Sequence, residues 1–204
     1  MTRAFDAAHW DERYRATESV WGAPPNRWVE QEVASLRPGV ALDLACGEGR
    51  NAIWLDSLGW QVIAVDFSAV ALEKGAVAAQ QASGAARITW LLDDATTFRS
   101  PDPVDLAVLA YLQLEPSARR GAVRTAATAL APGGVLLVVA HDSRNLTDGV
   151  GGPQDPAVLY TAHDLVDDLA PTDLNVERAD EVLRPVEGAV RPAIDALLRA
   201  RRPA

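Results

Sequence analysis

Two acids and two glycines in this chain are spaced as a ligand site would space them. In LDLACGEGRN, Leu42 to Asn51, Asp43 ends an apolar run and stands four residues before Gly47, with Gly49 beyond it. Glycines after a strand let the backbone come close to a ligand. A second acid, Asp66, closes VIAVD. A carboxylate at that place can accept both hydroxyls of a ribose, so the ligand is expected to contain a nucleoside.

Two kinds of nucleoside compete. GEGRNA, Gly47 to Ala52, fits the dinucleotide pattern G-x-G-x-x-G/A and would put a pyrophosphate on the turn. Asp66 comes 14 residues after Ala52 (66 minus 52), against about 20 in the usual fingerprint. Charge is the stronger objection. If Asp43 lies near the ligand it repels a pyrophosphate, by roughly 4 kcal/mol for one unit pair at about 4 Å and an effective dielectric near 20. A nucleoside with a cationic tail turns the repulsion into attraction. S-adenosylmethionine is such a ligand: adenosine, a sulfonium, and an ammonium beside a carboxylate.

The elements that must position these groups alternate along the chain. Strands are expected at Val40 to Ala45, Gln61 to Val65, Ile88 to Leu92, Val104 to Ala110 and Val135 to Ala140. The last, VLLVVA, is apolar on both faces, as a central parallel strand should be. Helices are expected at Arg50 to Leu58, from a Ser68 cap to about Ser83, and from Ser117 to Leu130, the last stopped by Pro132-Gly133-Gly134. This rhythm predicts an α/β fold with a doubly wound, mostly parallel sheet. Ahead of it, Phe5 to Thr17 reads as a short helix, and a second carries Val29, Val33 and Leu36 on one face. After it, Asp142 to Tyr160 is a Gly/Pro/Asp-rich loop, and Thr161-x-x-Asp164 is a capping box. Asn175 to Leu183 and Ala193 to Arg201 follow; alternation makes the second a strand, though its Ala and Leu content allows a helix, and two strands joined without a crossover would form an antiparallel edge pair.

Composition narrows the class. The chain has 204 residues, a formal charge of -9 and one cysteine. That length suits one α/β domain with a real core. The acidity argues against nucleic acid or anionic lipid as partners. One cysteine excludes an internal disulfide, and no run reaches the roughly 18 apolar residues of a membrane span. MTRAFDAAHWDERY is not a signal pattern. A cytoplasmic protein is expected, as monomer or homodimer.

The series Asp43-x-Ala45-x-Gly47-x-Gly49, then Asp66, then Asp93-Asp94-Ala95, resembles class I S-adenosylmethionine-dependent methyltransferases over about residues 40 to 140. WDERY, WGAPPN, CGEGRNAIWL and VDFS resemble more narrowly the small-molecule enzymes grouped with tellurite-resistance and thiopurine methyltransferases. The family motif often has glycine where this chain has Ala45. The resemblance implies a seven-stranded sheet and one methyltransferase domain over 1–204, with a helical lid at 1–37, a cofactor core at 40–140 and an acceptor loop and terminal strand pair at 141–204.

It also implies roles. The backbone of Ala45, Cys46, Gly47 and Gly49 would pass the methionine part, with Asp43 orienting its ammonium. Asp66 would hold the ribose and Phe67 lie on the adenine, whose amino group Asp94, with Asp93 and Ala95, would meet. Ala110 and Tyr111 would sit by the methyl. Trp10, Arg13, Tyr14 and Trp21 would cover the cofactor, and Arg13 could pair with its carboxylate. Methyl transfer is an in-line displacement driven mainly by positioning. If the small-molecule acceptor enters protonated, His141 is the first candidate base and Tyr111 the second. His141-Asp142 has no third ligand fixed by spacing, so no metal site is expected. The other readings are a nicotinamide-dependent oxidoreductase and a silent S-adenosylmethionine-binding module.

Overall fold

The computed structural model describes residues 6–20, 22, 24–83 and 87–204. Helices α1 (Ala7–Arg15) and α2 (Arg27–Val33) precede the alternating part. That part runs β1 (Val40–Leu44), α3 (Arg50–Ser57), β2 (Gln61–Asp66), α4 (Ala69–Ser83), β3 (Ile88–Leu92), β4 (Val104–Ala110), α5 (Pro116–Ala129) and β5 (Leu130–His141). Next come α6 (Ala162–Leu169), β6 (Asn175–Arg184) and β7 (Ala193–Arg201). Among the described residues, seven strands form one sheet in the order β3-β2-β1-β4-β5-β7-β6. The first five pair in parallel, and β7 is antiparallel to both β5 and β6. Strand order reverses between β1 and β4, where such sheets bind ligands.

Strand alternation divides the core between two faces. Leu42, Leu44, Ala107, Leu109, Leu136 and Val138 pack on α5 and α6. Ala41, Val62, Leu106, Val108, Leu137 and Val139 pack on α2, α3 and α4. Central strands are therefore apolar on both sides, and a charge within them is out of place unless a ligand or a network holds it.

The expected elements are present, with two corrections. The second helix stops at Val33, so Leu36 packs on the core from the turn that follows. Pro132-Gly133-Gly134 lies inside a strand and not in a helix–strand link: β5 begins at Leu130, and its pairing with β4 jumps from Val104↔Leu130 to Leu106↔Val135. A bulge holds the extra residues. A side chain at Gly134 would lie 2.9 Å from the carbonyl oxygens of Ala131 and Val104, so the bulge excludes one. The capping box forms as read, with Thr161 and Asp164 bonded both ways. The Asp142-to-Tyr160 loop contains two short 3₁₀ turns, Ser143–Leu146 and Pro156–Val158.

Candidate active site

Asp43 lies on the innermost parallel strand, opposite Ala64 on one side and Val108 on the other. It is 1 % exposed. Its Oδ2 has no hydrogen-bond partner among the described residues. Burial pushes its carboxyl up to about 7, the Ala52 amide opposes this, Asp66 adds to it and Arg50 opposes it. A half-satisfied buried carboxylate is costly unless a cation or donor completes it.

Above Asp43 the turn alternates in hand, with φ of 60° at Ala45, 56° at Gly47 and 71° at Gly49. Its amides are largely committed: Cys46 N donates to Val65 O at 3.0 Å, Gly47 N to Asp66 Oδ2 at 2.8 Å and Gly49 N to Cys46 O at 2.9 Å. A phosphate cradle needs such donors free. Gly49 serves a second purpose, since a side chain there would meet the Trp90 indole at 2.3 Å. Ala45 holds a left-handed conformation that costs an L-residue roughly 1–2 kcal/mol. Ala45→Gly is therefore expected to stabilise the protein by about 0.5–1 kcal/mol, roughly 1–4 °C in melting temperature. Thermal unfolding followed by circular dichroism measures it; a lower melting temperature would show that the methyl group's packing outweighs the strain.

Asp66 knits the turn to the end of β2, accepting from Gly47 N at 2.8 Å and Ser68 N at 2.9 Å. Burial raises its carboxyl above the ordinary value against the amides of Ser68, Gly47 and Phe67. Each oxygen keeps a lone pair for a hydroxyl. Phe67 follows it, half-buried. Asp93 and Asp94 are exposed, and Asp94 Oδ1 accepts from Thr96 N and Thr96 Oγ1, both at 2.7 Å. That carboxylate is thus engaged in its own turn, while Ala95 is buried behind it.

The N-terminal segment is bonded onto this site. Asp11 accepts from Ser68 Oγ at 2.6 Å, and Lys74 Nζ donates to the carbonyls of Tyr14 at 2.9 Å and Thr17 at 2.8 Å. Lys74 also pairs with Glu48 of the glycine turn at 2.6 Å, and Glu48 accepts from Val20 N at 2.8 Å. Tyr14 is buried, and Trp10 stacks on it with centroids 5.7 Å apart. Trp21 lies outside the described residues. Arg13 is exposed, its guanidinium 5.0 Å above the Trp10 ring, so its placement favours stacking over reaching a carboxylate in the site. Arg50 is the guanidinium nearer Asp43. Burial lowers its pKa, the Asp43 carboxylate opposes this and Arg184 adds to it.

On the other side of the turn, Ala110 and Tyr111 end β4, and Tyr111 also adopts a left-handed φ of 60°. Its hydroxyl lies 2.9 Å from Asp195 Oδ2 and accepts from Arg184 Nε at 2.9 Å. Burial and the Asp195 charge raise the phenol's pKa, against the pull of Arg184. With its hydroxyl directed at the Asp195 carboxylate, Tyr111 is placed to donate a hydrogen bond there. His141 stacks on Tyr111 with centroids 4.7 Å apart, and its Nδ1 is 3.4 Å from Asp195 Oδ1. A side chain at Gly152 would lie 2.9 Å from the imidazole, so the Asp142-to-Tyr160 loop covers that ring. Cys46 is buried in the core with its thiol pKa raised by burial, as a space-filler would be.

Sequence reasoning passed over Arg50, Trp28, Arg184 and Asp195. Asp195 was readable as an acid inside the strand AIDALLRAR; that both faces of this strand are buried was not. Among the described residues, no three acidic, cysteine or histidine side chains converge to hold a metal.

Residues 41–134, which contain the turn, Asp66 and Asp94, match the methyltransferase domain family. The match spans 94 of the chain's 204 residues (134 minus 41, plus one). The chain is 28 % identical to thiocyanate methyltransferase 1 of Brassica oleracea over 135 residues, which make up 65 % of this chain and 58 % of that protein. TehB from Haemophilus influenzae shares the fold with a TM-score of 0.70 at 20 % identity, over 96 % of this chain and 66 % of that one. So does the N-methyltransferase NodS from Bradyrhizobium japonicum, solved with S-adenosyl-L-homocysteine, with a TM-score of 0.75 at 18 % identity over 98 % and 100 % of the two chains. The methyl donor of such a domain is S-adenosylmethionine, and the donor set here fits it: Asp43 offers an unsatisfied anionic oxygen, and the turn has few free amides for phosphate.

Proposed function

We propose that the protein moves a methyl group from S-adenosylmethionine to a small-molecule acceptor. The observation that carries this reading is Asp43, buried near the end of β1 with one oxygen lacking a partner among the described residues, where a cationic amino-acid tail would complete it. Bound S-adenosylmethionine supplies an activated methyl on a sulfonium; the chain's contribution is to bind, orient and exclude water. In this reading Asp43 meets the ammonium, Arg50 the carboxylate and Asp66 the ribose. Ala110 and Tyr111 border the methyl, with Phe67 and Ala95 beside the base. Residues 1–37 act as a lid, the role that the Asp11–Ser68 and Val20–Glu48 contacts suit. The loop from Asp142 to Tyr160 borders the acceptor, with His141 beneath it. The enzyme would work in the cytoplasm, its single cysteine reduced.

Calorimetric titration with S-adenosylmethionine, S-adenosylhomocysteine and NAD tests the reading directly. Micromolar binding of the first two and none of NAD is expected. Binding of NAD alone would replace it with an oxidoreductase. Micromolar binding without methylation of any acceptor in a broad panel would leave a silent binding module.

A further inference from the structure

Four elements converge on one buried carboxylate. Asp195, on β7, is fully buried. Its Oδ2 accepts from Trp28 Nε1 of α2 at 3.0 Å and from Arg184 Nε of β6 at 2.8 Å, and lies 2.9 Å from the Tyr111 hydroxyl. Its Oδ1 lies 3.4 Å from Nδ1 of His141, which ends β5. Burial would push this carboxyl up, yet the His141 imidazole beside it and the hydrogen bonds from Arg184 and Trp28 take it below the ordinary value, so it stays ionised. His141 is fixed from other directions too: Gln113 Oε1 accepts from its backbone N at 2.8 Å, Tyr111 stacks on the ring and Gly152 leans against it. Nδ1 is buried and makes no hydrogen bond among the described residues, with Asp195 Oδ1 the carboxylate oxygen 3.4 Å from it, while the side chain keeps 15 % of its surface exposed.

We propose that Asp195 is a positioning residue that holds His141 as the Nδ1–H tautomer, leaving Nε2 as the base for an acceptor that arrives with its proton: a hydroxyl, thiol or N–H compound, not a bare anion. The inference rests on the methyl-transfer reading above. The ionised Asp195 orients the ring and offsets the charge the imidazole gains, as carboxylates do beside catalytic histidines. The step balances. The acceptor's X–H proton passes to Nε2 of His141 while the X lone pair bonds the methyl carbon. The carbon–sulfur bond breaks, and its electron pair leaves with the donor's sulfur. An acceptor that is already an anion has no use for this arrangement.

The chain has three histidines, His9, His141 and His163, so their imidazole signals separate readily in a ¹⁵N-labelled sample. At pH 8, two-bond ¹H–¹⁵N spectra should show one histidine fixed as the Nδ1–H tautomer, absent from His141→Gln. In Asp195→Asn that signature should give way to a majority of Nε2–H. His141 found as Nε2–H or doubly protonated in the unaltered protein would overturn the proposal without any variant having to fold. So would a tautomer unchanged in folded Asp195→Asn. Thiocyanate and iodide, acceptors with no proton to lose, should not be methylated; turnover of either at a rate His141→Gln leaves unchanged would also overturn it. Calorimetry with S-adenosylmethionine on the same sample separates the two ideas. Binding without the fixed tautomer removes the dyad alone, and no binding removes the methyl-transfer reading itself.

Discussion

Asp43→Asn should weaken S-adenosylmethionine binding by about 10–100-fold at pH 8 while raising the melting temperature of the ligand-free protein. The first effect is the loss of a charged hydrogen-bond acceptor, about 1.5–3 kcal/mol. The second follows from the burial of Asp43, whose carboxyl titrates near 7 when folded and near the ordinary 3.9 when unfolded. Between those values the folded protein binds more protons than the unfolded chain, so stability falls as pH rises through that window and levels off above it. An amide does not ionise. The titration difference is worth about 4 kcal/mol at pH 8, and the cost of burying the amide's own polar group offsets about half of it, so the net gain should be about 2 kcal/mol, roughly 4–8 °C for a chain of this size. A site that gives up stability to hold a ligand is expected where function requires an unpaired charge.

The same titration predicts how binding depends on pH. A cation beside Asp43 favours its ionised form, so binding below about pH 7 must expel a proton. Affinity should rise by about tenfold from pH 6 to pH 8, most of it below 7. Asp43→Asn should abolish the rise. Titration calorimetry in two buffers of different ionisation enthalpy reads both affinity and proton release. An affinity flat with pH in the unaltered protein, with no proton released, would place Asp43 outside the site.

Asp66→Ala should lower cofactor affinity by about 100-fold or more while the protein still folds. Two ribose hydroxyls on one carboxylate are worth about 1.5–3 kcal/mol each. The substitution also strands the amides of Gly47 and Ser68, which Asp66 now accepts from. Each buried unsatisfied donor costs about 1–3 kcal/mol, so a loss of roughly 2–6 kcal/mol in stability should accompany the loss of binding. Asp66→Asn separates the effects, because its amide oxygen can still satisfy one backbone donor. Chemical denaturation and calorimetry together give both numbers. Affinity within threefold of the unaltered protein in folded Asp66→Ala would remove Asp66 from ribose binding.

The chain's periodicities determined the sheet and most of its helices. Alternating apolar runs bounded by glycine and proline leave little choice when every segment must bury a face. The order of charges along the chain also placed Asp43 beside the glycine turn, since Asp43 and Gly47 are joined by a segment too short to separate them, and it is this placement that suggests a cationic ligand tail. Local pattern failed where a short motif has two uses: Pro132-Gly133-Gly134 reads as a helix stop, but it is a bulge because β5 must keep pairing with β4 across extra residues. Tertiary structure alone decided the cluster around Asp195. Trp28, Tyr111, His141, Arg184 and Asp195 come from five elements spread over 167 residues of chain (195 minus 28), and no spacing rule links them. They meet because β7 runs antiparallel beside β5, setting Asp195 opposite His141. A buried carboxylate gathers every donor within reach, and only the folded sheet determines which donors those are.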